Sequence, residues 1–160
     1  MDKTIGKLAF QAAALGVVAG MRSMLAPALF HRFAAQNRKG RFSHLAPTVF
    51  DSPRIGVALD VMALGELVAD KLPKTPSRHS PPSLVIRAIS GGLVGGALFA
   101  ERRKPLAAGA IIGGVAALAA SYAFYHLRQA TDEKTGFSDP TVALVEDALA
   151  RGIGHLALRS

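Results

Sequence analysis

Residues Pro105 to Tyr125 (PLAAGAIIGGVAALAASYAFY) run for 21 positions without a charge. A helix of about 20 apolar residues is what crosses the hydrocarbon of a bilayer, about 30 Å thick. In a soluble chain of 160 residues, such a helix would need burial on every side. Tyr122 and Tyr125 lie near its far end, with His126 and Arg128 just beyond, the order expected at a membrane–water boundary. This stretch reads as a membrane span, and the other segments are read around it.

Two more segments are nearly as apolar. Leu8 to Met21 holds 14 residues without a charge; Arg22 then interrupts, and Ser23 to Phe30 continues with Pro27 inside. Two readings compete here: one tilted helix kinked near Pro27, or a helix broken around Gly20-Met21-Arg22 with a second short helix to about Ala35. Ser83 reads as the cap of a helix over Leu84 to Ala100, with Arg87 in its first turn, and the basic turn ERRKP follows at 101–105. Asp51 or Ser52 before Pro53 opens a helix to about Leu72, and Asp139-Pro140 opens one to about Leu158, each a cap followed by a first-turn proline. Gln36 to Ser52 and Thr131 to Ser138 read as polar loops. Pro73, Pro76, Pro81 and Pro82 predict extended chain over Lys74 to Ser80.

Half of the residues are hydrophobic and the mean hydropathy is +0.29, drawn from Ala, Leu, Val and Gly, which favours helices. The net charge of +8 would suggest nucleic acid in a soluble chain. Here the positive residues flank apolar segments (Arg38, Lys39, Arg41; Lys71, Lys74, Arg78; Arg102, Arg103, Lys104), where membrane proteins place them. Aromatics that could stack bases are sparse, so nucleic acid is not the expected partner. With no cysteine, disulfides and thiol chemistry are excluded. The N-terminal run resembles a signal peptide, but the apolar segments after it commit the chain to the membrane, and it is expected to be retained.

An internal repeat is legible. Val57-Ala58-Leu59 with Ala63-Leu64 matches Val142-Ala143-Leu144 with Ala148-Leu149, each after an Asp/Pro opening. Gly16-x-x-x-Gly20 precedes the first; Gly91-x-x-x-Gly95 and Gly109-x-x-x-Gly113 precede the second. This divides the single membrane domain, 1–160, into halves 1–80 and 81–160. Three segments per half would insert with opposite topology, as in many transporters; chance matching of common residues is the alternative. The paired glycines Gly91-Gly92 and Gly95-Gly96 predict close helix packing, within one chain or between copies.

The candidate functional residues are charges in apolar surroundings, costly unless paired, hydrated or used. Glu66 and Asp70 share a helix face and could hold a cation, relay protons, stay wet on a helix lying along the interface, or pair with Arg22 or Arg87. Asp60 is expected to point elsewhere. Arg22 could pair with Glu66 or Asp70, or bind an anion at a helix start. Arg87 is expected to reach lipid headgroups. Asp147, Arg151 and His155 fall on one face of the last helix, either as an i,i+4 salt bridge on a wet face or as a lining that completes a buried network. Histidine spacing predicts no metal site, and no catalytic constellation appears, so neither an enzyme nor a cofactor is expected.

Ala19-Gly20-Met21-Arg22-Ser23 with Pro27, Gly65-Glu66-Leu67-x-x-Asp70-Lys71-x-Pro73-x-x-Pro76-x-Arg78, and the late Glu146-Asp147 resemble a family of bacterial membrane proteins known as domain of unknown function four-one-two-six. The resemblance implies a multi-spanning membrane protein without an assigned reaction, and that Arg22, Glu66, Asp70 and Lys71 matter.

The sequence thus predicts an all-α polytopic membrane bundle of five or six helical segments in a bacterial cytoplasmic membrane. Its leading role is a small transporter or channel-like protein with Arg22, Glu66, Asp70, Lys71, Asp147 and Arg151 along its pathway. The rival role is a structural or interaction protein packed through Gly16, Gly20, Gly91, Gly92, Gly95, Gly96, Gly109 and Gly113. The bilayer is the expected partner, with a second copy of the chain as a use for the glycine faces.

Overall fold

The computed structural model describes residues 3–36, 52–69, 81–135 and 139–159, and these form six helices. They are α1 (Lys3–Met21), α2 (Leu25–Gln36), α3 (Pro53–Ala69), α4 (Pro81–Glu101), α5 (Leu106–Thr135) and α6 (Asp139–Arg159). No strand occurs among the described residues. Helices α1, α4 and α5 are each long and apolar enough to cross a membrane. Leu93, Ile111 and Val115 on α4 and α5 are more than half exposed, the outward apolar surface expected of helices bathed in lipid. The fold is a helical membrane bundle.

Several boundaries differ from expectation for identifiable reasons. The first apolar stretch is broken, not kinked at Pro27: α1 ends at Met21 and α2 starts at Leu25. Helix α3 begins as expected, with the Ser52 carbonyl accepting from Ile55 at 3.0 Å and Gly56 at 3.1 Å and Pro53 in the first position. Helix α4 starts earlier, at Pro81: prolines at the first positions lack only amide hydrogens that have no helical partner there. Ser83 consequently lies inside the helix and accepts from Arg87 Nε at 3.3 Å instead of capping. Helix α5 continues past Tyr125 to Thr135, because 126–135 contains good helix formers and no breaker before Gly136.

Three helices form the tight centre. A Cβ on Gly95 would collide with the Gly109 carbonyl oxygen, and one on Gly91 with that of Gly113, so α4 and α5 touch backbone to backbone and antiparallel. A Cβ on Gly16 would strike the same Gly113 carbonyl, and one on Gly20 the Ala117 carbonyl, which sets α1 parallel to α5. The predicted glycine packing is therefore intramolecular at Gly16, Gly20, Gly91, Gly95, Gly109 and Gly113. Gly92 and Gly96 are looser, with nearest atoms 3.3 Å from a built Cβ. Leu8, Leu15, Val18, Val94 and Phe99 fill the core around this seam.

The remaining helices wrap one side. Gln11 Nε2 donates to the Ala157 carbonyl at 2.9 Å, tying α6 antiparallel to α1. Leu29 of α2 lies where a Gly154 side chain would stand, so α2 turns back beside α6. Among the described residues helix α3 packs only on α2, with Gly56 leaving room for the His31 ring. Directions thus alternate from each helix to the next.

The α4–α5 turn carries a residue with positive φ. Lys104 N–H donates to the Phe99 carbonyl at 3.0 Å and Arg103 N–H to that of Ala100 at 2.9 Å, a Schellman closure with Arg103 at φ 53°. A side chain there costs about 1 kcal/mol relative to glycine. Arg103→Gly is therefore expected to stabilise the bundle by up to about 1 kcal/mol, read as a rise in melting temperature in detergent.

Candidate functional site

The break between α1 and α2 gathers side chains from every other helix. Residues 22–24 leave backbone groups at two helix ends without helical partners, and in an apolar bundle each needs one. At the end of α1, the Gly20 carbonyl accepts from Arg87 Nη1 and from Ser121 Oγ at 3.1 Å, and the Met21 carbonyl accepts from Arg87 Nη1 at 3.4 Å. A guanidinium at a helix C-terminus also opposes the helix dipole favourably. Ser90 Oγ donates to the Ser23 carbonyl. At the start of α2, the Glu66 carboxylate accepts from the Ser23 and Met24 amides at 2.9 and 3.0 Å and from Ser23 Oγ at 2.9 Å. A carboxylate there caps the positive end of α2 from a separate helix.

This changes the roles read from the sequence. Glu66 does not pair with Arg22; it closes the break. Arg87 is buried and holds α1 carbonyls, so it does not reach for headgroups. Arg22 Nε donates to Asp147 Oδ1 at 2.6 Å, in an ion pair whose arginine side chain is only 4% exposed. Asp147 is thus turned to α1, and no Asp147–Arg151 salt bridge forms among the described residues. Asp70 and Lys71 lie outside the described residues.

Beside the break lies a cavity of about 550 Å³ between α2, α3 and α6. Arg22 and Asp147 form its inner end. Arg151, Gly152 and His155 continue along α6, while Leu25, Ala28 and Leu29 come from α2 and Ala63 and Leu64 from α3. Asp60, on a different face of α3 from Glu66, lines the cavity and pairs with Arg32 Nη2 at 3.0 Å on its exposed side. A pair this wet contributes little stability, about 0–1 kcal/mol.

The structure therefore brings Arg22, Asp147 and Arg151 to one cavity and puts Glu66 outside it. Sequence reasoning missed Asp60, Arg32, Ser23, Ser90 and Ser121. Asp60 and Arg32 had one signal, a charge within each apolar helix. The serines had none, since an isolated serine in an apolar helix is ordinary. No group of three or more metal-ligating side chains occurs among the described residues.

Neither the curated proteins nor the solved structures give a match to this chain. The family profile whose description is "Domain of unknown function (DUF4126)" matches residues 9–160, almost the entire length, and the chain belongs to that family.

Proposed function

We propose that this is a multi-spanning membrane protein that passes a small ion or solute through the cavity between α2, α3 and α6. The observation that carries the reading is the cavity itself, about 550 Å³, with the Arg22–Asp147 pair at its inner end. The cavity lies beside the three apolar helices α1, α4 and α5, and ionisable side chains that face a cavity in such a bundle suit a solute path. The broken α1–α2 element agrees, since irregular backbone at membrane depth is tolerated where it lines a cavity or packs in protein. The alternating directions also leave the two three-helix halves oppositely oriented, as an inverted repeat requires. Lys3, Lys7 and the Arg102–Lys104 turn lie at the same end of the bundle, which the positive-inside rule assigns to the cytoplasm.

A second reading has its own support: a structural or interaction protein, in which polar groups serve only to close the bundle. Glu66, with three hydrogen bonds at the break, favours it.

Uptake of labelled rubidium, chloride and benzoate into proteoliposomes separates the two. The wild type is expected to take up at least one above empty vesicles. Gly152→Phe is expected to abolish that uptake while the protein stays folded, because a side chain there meets open cavity, with nothing within 4 Å of a built Cβ. Glu66→Gln is expected to retain uptake but to lower stability by about 1–3 kcal/mol, since an amide loses a charge-assisted acceptor at the α2 start. No uptake of any of the three by wild-type protein would overturn the transport reading and favour the structural one.

A further inference from the structure

The charges lining the cavity also select what enters it, an inference that rests on the cavity being the working site. We infer that it binds a small organic anion, an acidic group joined to an apolar body, with Arg151 as the anchor for the acid.

The charge balance disfavours a cation first. Three arginines and two aspartates line the cavity. Asp147 is held by Arg22 at 2.6 Å and Asp60 by Arg32 at 3.0 Å. Among the described residues Arg151 has no ion pair, so the described wall carries one more guanidinium than its paired carboxylates balance. An entering cation would find both carboxylates engaged and a guanidinium facing it.

Size and lining exclude a bare inorganic anion next. Water occupies about 30 Å³ per molecule in the liquid, so a halide would leave nearly all of the space to solvent. Leu25, Leu29 and Leu64 are poor partners for that much water, and suit the apolar part of an organic acid. Arg151 presents a planar fork of N–H donors that matches a carboxylate or phosphate in two bonds. His155, one turn further along the same helix face, adds a ring N–H within reach of the same wall. Gly152 beside them projects nothing into the space.

Such an occupant has two sources, a soluble organic acid or a single-chain acidic lipid drawn from the bilayer. The test uses the full-length chain in non-ionic detergent, titrated calorimetrically with benzoate and with phenyltrimethylammonium, a cation of similar bulk. Benzoate is expected to bind saturably and the cation not at all. Arg151→Gln is expected to weaken benzoate by about tenfold or more. Arg151→Lys, which keeps the charge but not the fork, should recover part of the loss. Circular dichroism is expected to show both variants folded, since Arg151 is exposed and makes no ion pair among the described residues.

Saturable binding of the cation, or undiminished benzoate binding by Arg151→Gln, overturns the inference. Competition with monoacyl phosphatidate separates the sources: tighter binding than benzoate supports a lipid, weaker binding a soluble acid, and both support the anion site. Benzoate binding without uptake into proteoliposomes retains the site and removes transport. Rubidium uptake without benzoate binding retains transport and removes the anion site.

Discussion

Gly113→Val is expected to leave no stable bundle. Gly113 sits where α1, α4 and α5 meet, and its carbonyl oxygen lies where side chains on Gly16 or Gly91 would be. A side chain on Gly113 itself would enter the Gly91 carbonyl oxygen, with Gly95 Cα at 3.4 Å. These obstacles are backbone atoms, which cannot swing aside as a side-chain tip can. The helices must move apart, and the Leu15, Val18 and Val94 packing around the seam loosens with them. The cost is about 3 kcal/mol or more, from overpacking that only backbone displacement relieves. Thermal melting in detergent measures it, with size-exclusion chromatography reporting whether a monodisperse species survives. Gly65→Ala provides the contrast. Nothing lies within 4 Å of a Cβ built there, so alanine is expected to stabilise α3 by roughly 0.5–1 kcal/mol through helix propensity. Equal losses at positions 113 and 65 would refute close packing as the reason for the glycines.

Asp147→Leu is expected to cost about 3–5 kcal/mol, because it leaves the buried Arg22 guanidinium without its carboxylate. The same principle predicts a second result. Replacing both members, as in Arg22→Met with Asp147→Leu, should recover most of the loss, since two apolar side chains of similar volume need no compensation. The four proteins form a double-mutant cycle read by denaturant or thermal unfolding. Additive losses would show that the two residues act separately. If the double variant folds but no longer takes up solute, the pair serves the cavity as well as the fold.

The helices were legible because membrane burial leaves long apolar runs and because Asp/Pro and Ser/Pro openings mark helix starts. The break at Gly20-Met21-Arg22 was legible too, as one of two readings, since a charge and a glycine interrupt the same run. What the sequence could not show was pairing across helices. Spacing along one helix tells which residues share its face, as for Asp147, Arg151 and His155. It does not tell that Asp147 meets an arginine 125 residues earlier. Glu66 looked like a charge in search of an opposite charge, and its partners are two backbone amides and a hydroxyl, which any sequence contains. Arg87 near a helix start resembled a headgroup anchor, because the carbonyls that it holds become available only when α1 breaks beside it. Helix α5 runs on beyond its apolar stretch because polar residues end a hydrophobic run without ending a helix, and 126–135 contains neither Gly nor Pro.

The Arg22–Asp147 pair also sets an order of events during synthesis. Arg22 emerges with the first helix, whereas Asp147 belongs to the last. Until α6 docks, the guanidinium lacks the Asp147 carboxylate, and apolar surroundings penalise a charge left without it. The end of α1 must therefore stay near water or the translocation machinery while α2 to α5 are made. Docking of α6 removes that penalty, and the Gln11 contact to Ala157 near the far end of α6 completes the seam. A nascent chain halted after α5 has its glycine-packed centre but lacks the Asp147 carboxylate at Arg22, the kind of signal by which a cell can tell an unfinished membrane protein from a finished one.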